Sequence, residues 1–259
     1  MLIAATVLAC SSTPTLVIVG VLFLGILYAR NLEFMHAALH GTLLRGGRAN
    51  RIVGALLGAP MLVSFELWRR EHALHHRDVR REGFVYEYDR LTNLWELLLH
   101  LLMLRHLWRS MQALMHVRLR LTGGYTAPML FLIGVLFASF LTHHDLFLTL
   151  WLLPLPIACI VHTLIELPEH LGLQTTSNNP FENSRILDAS PLLSWLVLYN
   201  NYHAMHHAQP RIPIAHLAKA YRQSLHHSTI QHETYGQFFS RLIYGLVSQK
   251  VRLVEPRSS

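Results

Sequence analysis

The sequence predicts an all-α integral membrane protein in which transmembrane helices combine with interfacial and re-entrant helices. Three observations lead to this fold class. Hydrophobic residues make up 52% of the 259 residues and charged residues only 14%, against about 25% in soluble domains. The hydrophobic residues are gathered in long runs. The chain also has 19 histidines, more than its 15 Asp and Glu together. At this length we expect one domain, residues 1–259.

The first long run, Pro14 to Met35, is sufficient to span a bilayer at about 1.5 Å per residue. Whether Leu2 to Ala9 forms a short partner helix stays open at this point. The next run, Ile52 to Trp68, has 17 residues and contains Gly58-Ala59-Pro60 near its middle. It lies at the lower limit of a span and offers a natural break.

Leucines and arginines alternate from Leu91 to Leu121, which predicts a basic amphipathic helix in the membrane interface. Two further apolar runs, Ala127 to Leu141 and Leu146 to Leu167, predict a helical hairpin. Pro154 and Pro156 should kink its second helix, which membrane helices tolerate.

Basic residues are distributed unevenly along the chain, whose net charge is +7. All 22 Lys and Arg lie before Leu121 or after Pro180. Their position beside apolar segments indicates the cytoplasmic side of a membrane protein and argues against a nucleic-acid partner. Cys10 and Cys159 form no metal-binding or disulfide motif.

Three groups of histidines have helical spacing, and residues three or four apart share a helix face. A single histidine follows at the end of the last membrane run, in Glu166-Leu-Pro-Glu-His170. The three groups are His36-Ala-Ala-Leu-His40, His72-Ala-Leu-His75-His76 and His203-Ala-Met-His206-His207.

Eight or nine histidines are too many for one zinc ion, which takes three or four protein ligands. The sequence therefore indicates two metals, and the open positions that oxygen chemistry needs favour iron. A carboxylate-bridged bundle would need two E-x-x-H words, and this chain has one, Glu33 to His36.

The groups can meet on one membrane face only with a particular topology. The hairpin must return to the face it left, and Ile52 to Trp68 must dip into the membrane and return. All Lys and Arg then lie on the metal side, in agreement with the charge pattern.

The order H-x-x-x-H, H-x-x-H-H, H-x-x-H-H resembles the membrane fatty-acid desaturase superfamily, which includes related hydroxylases and carotenoid ketolases. The similarity covers roughly Phe34 to Lys219. It implies a di-iron centre at the cytoplasmic face that uses O2 and external electrons to attack an unactivated C–H bond of a lipid. The implied ligands are His36, His40, His72, His75, His76, His170, His203, His206 and His207.

Two further residues are expected to take part beside the metals, Glu166 on the resemblance and His162 on its spacing, one turn before Glu166. Glu166, one turn before His170, is expected as a direct or water-bridged ligand, and His162 as a residue in contact with the ligand shell. Family members often have Asp or Glu after the first histidine, where this chain has Ala37. The side chains that could orient an imidazole instead are Glu33, Glu71, Asp78, Glu169 and Asn200.

The expected activity is desaturation of a fatty-acyl chain, and the alternative is hydroxylation or ketolation of a lipid or isoprenoid at the same centre. A metal transporter would carry its ligands near mid-membrane, and a zinc hydrolase needs fewer histidines. Without a recognisable donor domain, we expect a separate ferredoxin-like or cytochrome-like electron donor with its reductase. The basic face could attract that donor or anionic membrane lipids. The expected location is a bacterial inner membrane, with the metal site facing the cytoplasm.

Overall fold

The computed structural model describes residues 1–78, 91, 93–102, 126–173, 179–224 and 231–248. The described chain is nearly all helical, which confirms the predicted fold class. It divides into two units, the first formed by Met1–Arg70 with Leu101–Thr163 and the second by Glu71–His100 with Leu164–Ser259.

The first unit contains most of the apolar helices. Its elements are the helices Leu2–Ala9, Pro14–Leu39, Gly47–Gly58, Thr126–Thr142 and His144–Phe147, the 3-10 turn Ala59–Met61, the π-helical segment Leu148–Leu152, and the first parts of Phe65–Asp78 and Pro154–His170. Leu2–Ala9 is thus a separate short helix, which answers the question that the sequence left open.

Among the residues that the structure describes, two helices are long and apolar enough to cross a membrane, Pro14–Leu39 and His144–His170. Large apolar side chains on the first of them, Ile18, Leu22 and Phe23, are exposed, as expected for a surface that faces lipid. The chain is therefore a membrane protein.

Gly25 allows the helix Pro14–Leu39 to approach Pro154–His170 closely. A Cβ atom at Gly25 would overlap the side chain of Ile157 and lie 2.9 Å from the carbonyl oxygen of Pro154. Small residues permit this kind of contact between membrane helices.

Pro154, at which the sequence predicts a kink, changes the hydrogen bonds of the helix around it. Proline has no N–H, so it cannot donate to the carbonyl of Leu150, four residues earlier, as an α-helical residue would. The hydroxyl of Tyr28 donates to that carbonyl instead, at 2.6 Å. The preceding residues Leu148–Leu152 form a π-helical turn, a usual response to a local interruption of the hydrogen-bond ladder.

The run from Ile52 to Trp68 is broken where the sequence predicts. The helix ends at Gly58, the turn Ala59–Met61 follows, and the next helix starts at Phe65 with a bend of 99° between the two helices. Leu62 adopts the left-handed conformation at this break (φ 55°). That the segment dips into the membrane and returns stays a prediction.

The second unit contains short helices and the one strand pair in the described part of the chain. Its elements are the ends of Phe65–Asp78 and Pro154–His170, the helices Leu94–Leu101, Pro180–Asn183, Pro191–Leu196, His203–Ala208, Ile214–Gln223 and Tyr235–Ser248, the 3-10 turn Asn200–Tyr202, and the strands Arg185–Asp188 and Gln231–Thr234. The strands pair in parallel, Arg185 opposite Gln231; the sequence analysis did not predict them.

The core of this unit fixes the last histidine helix. Ala204 and Met205 are fully buried and pack with Phe181, Ile186 and Leu217. Because these apolar residues alternate with the histidines along one short helix, their burial also holds His203, His206 and His207 inside the unit.

The predicted interfacial helix from Leu91 to Leu121 is described only in part, as the helix Leu94–Leu101. Its arginines, from Arg105 onward, lie outside the described residues, and so does the side chain of Asp78. The prediction of a basic amphipathic helix is untested.

Candidate metal centre

Four buried histidines of the second unit converge on one point. His75 comes from the end of the helix Phe65–Asp78, His170 from the end of Pro154–His170, and His203 and His207 from successive turns of His203–Ala208. Each offers one ring nitrogen, and these four atoms all lie within 4.8 Å of one another.

The separations between these nitrogens fit a shared metal ion. Nε2 of His203 lies 2.9 Å from Nε2 of His170 and 3.0 Å from Nε2 of His207, which is 3.1 Å from Nε2 of His75. A metal–nitrogen bond of about 2.0–2.1 Å places two ligands at a right angle about 3 Å apart. The four imidazoles therefore present donor atoms at the spacing of neighbouring ligands.

Backbone and amide oxygens orient two of these rings. Nδ1 of His170 lies 2.7 Å from the carbonyl oxygen of Asn183. A carbonyl can only accept, so Nδ1 carries the hydrogen and Nε2 keeps a lone pair. Nδ1 of His203 faces Oδ1 of Asn200 at 3.3 Å in the same sense. Partners of this kind fix the tautomer of metal-binding histidines.

Electrostatics also favour the neutral form that a metal ligand needs. Burial, followed by the repulsion of His203, His170, His75 and His76, holds the pKa of His207 well below its usual value. The ring is therefore neutral near pH 7 and has a free lone pair.

A second group in the same unit consists of His72, His76 and His206. Nε2 of His76 lies 2.9 Å from Nε2 of His72 and 3.1 Å from Nε2 of His206. The ring of His76 stacks on that of His207, with 4.2 Å between centroids, so the two groups adjoin. Each of the two H-x-x-H-H motifs lies on its own helix and thus supplies histidines to both groups.

The first unit contains His36 and His40, one turn apart near the end of the helix Pro14–Leu39. Their ring centroids are 5.3 Å apart, as the i, i+4 spacing predicts. Burial lowers the pKa of His40 to about 4, so this ring too is neutral near pH 7.

His162 and Glu33 form a buried pair in the first unit. Nδ1 of His162 lies 3.3 Å from Oε1 of Glu33, and both side chains are almost fully buried. Trp68 lies edge-on to His162 and also contacts His36, each with 6.1 Å between ring centroids. The structure thus gives His162 a carboxylate partner that the sequence analysis had considered only for the metal ligands.

Glu166 and Glu169 occupy different positions at the end of the helix Pro154–His170. Glu166 is half-buried and belongs to neither group of converging ligands. Glu169 is buried, and its Oε2 lies 3.2 Å from Nε2 of His203. Glu169 thus lies beside a converging histidine, and the role of Glu166, one turn before His170, stays a prediction.

The remaining side chains that the sequence offered as partners to orient an imidazole differ in burial. Asn200 is buried and contacts both Glu169 and His203. Glu71 is exposed. His100, which lies within the range of the predicted interfacial helix, is buried with 4% of its surface exposed.

The described residues thus define a helical membrane protein of the class that can bind metals through adjoining groups of imidazoles. The sequence model of the family described as fatty acid desaturase matches residues 12–239 of the chain. The chain belongs to the fatty acid desaturase family, and it is an oxidoreductase of the desaturase and hydroxylase superfamily. A comparison with curated proteins found no match.

Proposed function

We propose that the protein is an O2-dependent di-iron enzyme that desaturates a fatty-acyl chain. The observation that carries the proposal is the approach of histidine Nε2 atoms to 2.9–3.1 Å in two adjoining groups, in a chain of the fatty acid desaturase family. Imidazole suits iron, although it also suits zinc, copper and nickel.

The proposed ligands of one iron are His75, His170, His203 and His207. For the other iron we propose His72, His76 and His206. His36 and His40 stay proposed ligands of the di-iron centre on the resemblance of their spacing, and the neutral form of His40 supports that role. Glu166 and His162 stay proposed participants.

When bound, the irons would supply the reduction of O2 that drives removal of hydrogen from an unactivated C–H bond. Desaturation removes two hydrogens from adjacent carbons. With two electrons from a donor and two further protons, O2 is reduced to two waters, and a carbon–carbon double bond forms.

The protein's own residues would keep this centre dry and oriented. Asn183 and Asn200 hold the rings of His170 and His203 with their lone pairs turned toward the group. Burial of all four histidines excludes bulk water, which strengthens interactions between charged groups and their ligands. Exposed apolar side chains on the spanning helices suit a substrate that arrives from the lipid phase.

The electrons are proposed to come from a separate ferredoxin-like or cytochrome-like protein and its reductase. The concentration of Lys and Arg outside residues 121–180 supports a basic cytoplasmic face that attracts an acidic donor or anionic lipids. The same pattern supports a bacterial inner membrane, with the metals facing the cytoplasm.

Lipid analysis of a bacterial host that expresses the chain with a redox partner tests the reaction. The matched control is the same host with the His206→Ala variant. A product two mass units lighter than its precursor supports desaturation, whereas gain of one oxygen identifies hydroxylation and the alternative function. Purified protein that contains about one zinc and no iron would contradict a di-iron enzyme of either kind.

A further inference from the structure

The carboxylate of Glu169 lies directly beside the four-histidine group of the second unit. Glu169 precedes His170 in the helix Pro154–His170, and only 4% of its surface is exposed. Its Oε1 accepts a hydrogen bond of 2.6 Å from the side-chain amide of Asn200. Its Oε2 lies 3.2 Å from Nε2 of His203. One oxygen is therefore held by an amide, and the other faces a converging nitrogen.

Nε2 of His203 has more close neighbours than a single hydrogen bond can explain. Its Nε2 has three neighbours at 2.9–3.2 Å, namely Nε2 of His170, Nε2 of His207 and Oε2 of Glu169. A ring nitrogen offers either one hydrogen or one lone pair, so it can bond to only one of them directly. A cation between these atoms would bind all of them at once.

Charge favours a carboxylate at this position. Four neutral imidazoles leave both charges of a divalent ion uncompensated, and an uncompensated charge in a buried site is costly. Glu169 brings one negative charge to the edge of the group. The amide of Asn200 stabilises that carboxylate without adding positive charge.

We propose that Glu169 is a fifth ligand of the metal that His75, His170, His203 and His207 bind. Asn200 is the positioning residue, because its Nδ2 holds Oε1 of Glu169 while its Oδ1 faces Nδ1 of His203. The inference rests on the proposed function for the presence of a metal. Four nitrogens and one oxygen exceed the four ligands usual for structural zinc and suit iron, which accepts higher coordination.

The test uses the full-length protein in detergent, titrated with Co²⁺ and with anaerobic Fe²⁺. Glu169→Gln keeps the shape and the acceptor for Asn200 but removes the charge. We expect the wild type to bind two metals, and the variant to bind one of them at least about 100-fold more weakly, beyond the usual range for an outer partner. The visible Co²⁺ bands of that site should also intensify, as coordination falls from five toward four.

Three further variants separate a ligand from a supporting residue. Asn200→Ala should weaken binding by about 10–100-fold and keep the five-coordinate Co²⁺ spectrum. Glu182→Gln, which changes a carboxylate that accepts from Asn179, should alter neither affinity nor spectrum. If Glu166→Gln alters the spectrum of the four-histidine site and Glu169→Gln does not, the assignment to Glu169 is wrong.

A measurement on the Glu166→Gln protein, labelled with ¹³C-glutamate, does not require the Glu169 variant to fold. We expect metal addition to shift a labelled carboxylate stretch in the infrared difference spectrum. If the protein binds two metals and no such shift occurs, Glu169 is not a ligand, whereas the proposed function is unaffected. A wild-type protein that takes up no metal would instead overturn the proposed function.

Discussion

Nε2 of His75 lies 3.1 Å from Nε2 of His207, although 132 residues separate the two histidines in the chain. His75 lies on the helix Phe65–Asp78 and His207 on the helix His203–Ala208, and His207 is neutral because of its burial. Two lone-pair donors this close repel each other unless a hydrogen or a cation lies between them. The pair therefore gives a direct test of metal binding.

Replacing His75 by alanine removes one donor from the four-histidine group. We expect the iron content of the purified protein to fall from about two per chain to one or fewer, with loss of activity, because three imidazoles hold the ion less tightly. Elemental analysis measures the change. His216→Ala is the control, since His216 is exposed on the helix Ile214–Gln223, and equal iron in both variants would refute the assignment.

Tyr28→Phe should destabilise the first unit by about 1–3 kcal/mol, because the carbonyl of Leu150 loses its donor inside the helix packing. Thermal unfolding in detergent measures the change. Tyr244→Phe, at an exposed hydroxyl, should have little effect.

A double-mutant cycle with Pro154→Leu tests the cause of the Tyr28 effect. Leucine restores an N–H that can donate to the carbonyl of Leu150, so the cost of Tyr28→Phe should shrink in that background. An unchanged cost would mean that the phenol acts through packing.

Glu233→Gln should destabilise the second unit by about 3–5 kcal/mol, because it removes the carboxylate partner of a buried guanidinium. Arg185 is 3% exposed and lies 3.3 Å from Glu233. Burial lowers the pKa of Arg185 to about 10, although Glu233 opposes that shift, so the group stays charged near pH 7. Chemical denaturation in detergent measures the loss.

The same substitution at Glu66 is the control for the Glu233 variant. Glu66 contacts two arginines whose side chains are 42–45% exposed, so Glu66→Gln should cost less than about 1 kcal/mol. Similar losses at both positions would show that the burial of Arg185 does not determine the cost.

Gly25→Ala should destabilise the helix packing of the first unit by about 1–3 kcal/mol, because its Cβ would overlap Ile157. Gly134→Ala, with no atom within 4 Å of the added Cβ, should instead be neutral or stabilising by up to about 1 kcal/mol. Thermal unfolding of the two variants gives the comparison, and an equal response would exclude close helix contact at Gly25.

Local spacing was sufficient to predict much of this protein. Residues four apart share a helix face, so the pairs His36/His40, His72/His76 and His203/His207 follow from the sequence alone. The break at Gly58-Ala59-Pro60 was also predictable, since it depends on the backbone limits of Gly and Pro. The strand pair Arg185–Asp188 and Gln231–Thr234 was not, because each strand is four residues long and its partner is distant in the chain.

The sequence by itself determined the membrane class, the helical runs and the histidines on each helix face, because hydropathy and the 3.6-residue period are properties of local segments. Only the tertiary structure decided which histidines face one another, that Glu169 lies against His203, and that Asn200 contacts both. Except for the contact between Asn200 and His203, which are three residues apart, these contacts join residues more than 30 positions apart. They depend on where each helix ends and how its apolar face packs, which no short stretch of sequence encodes.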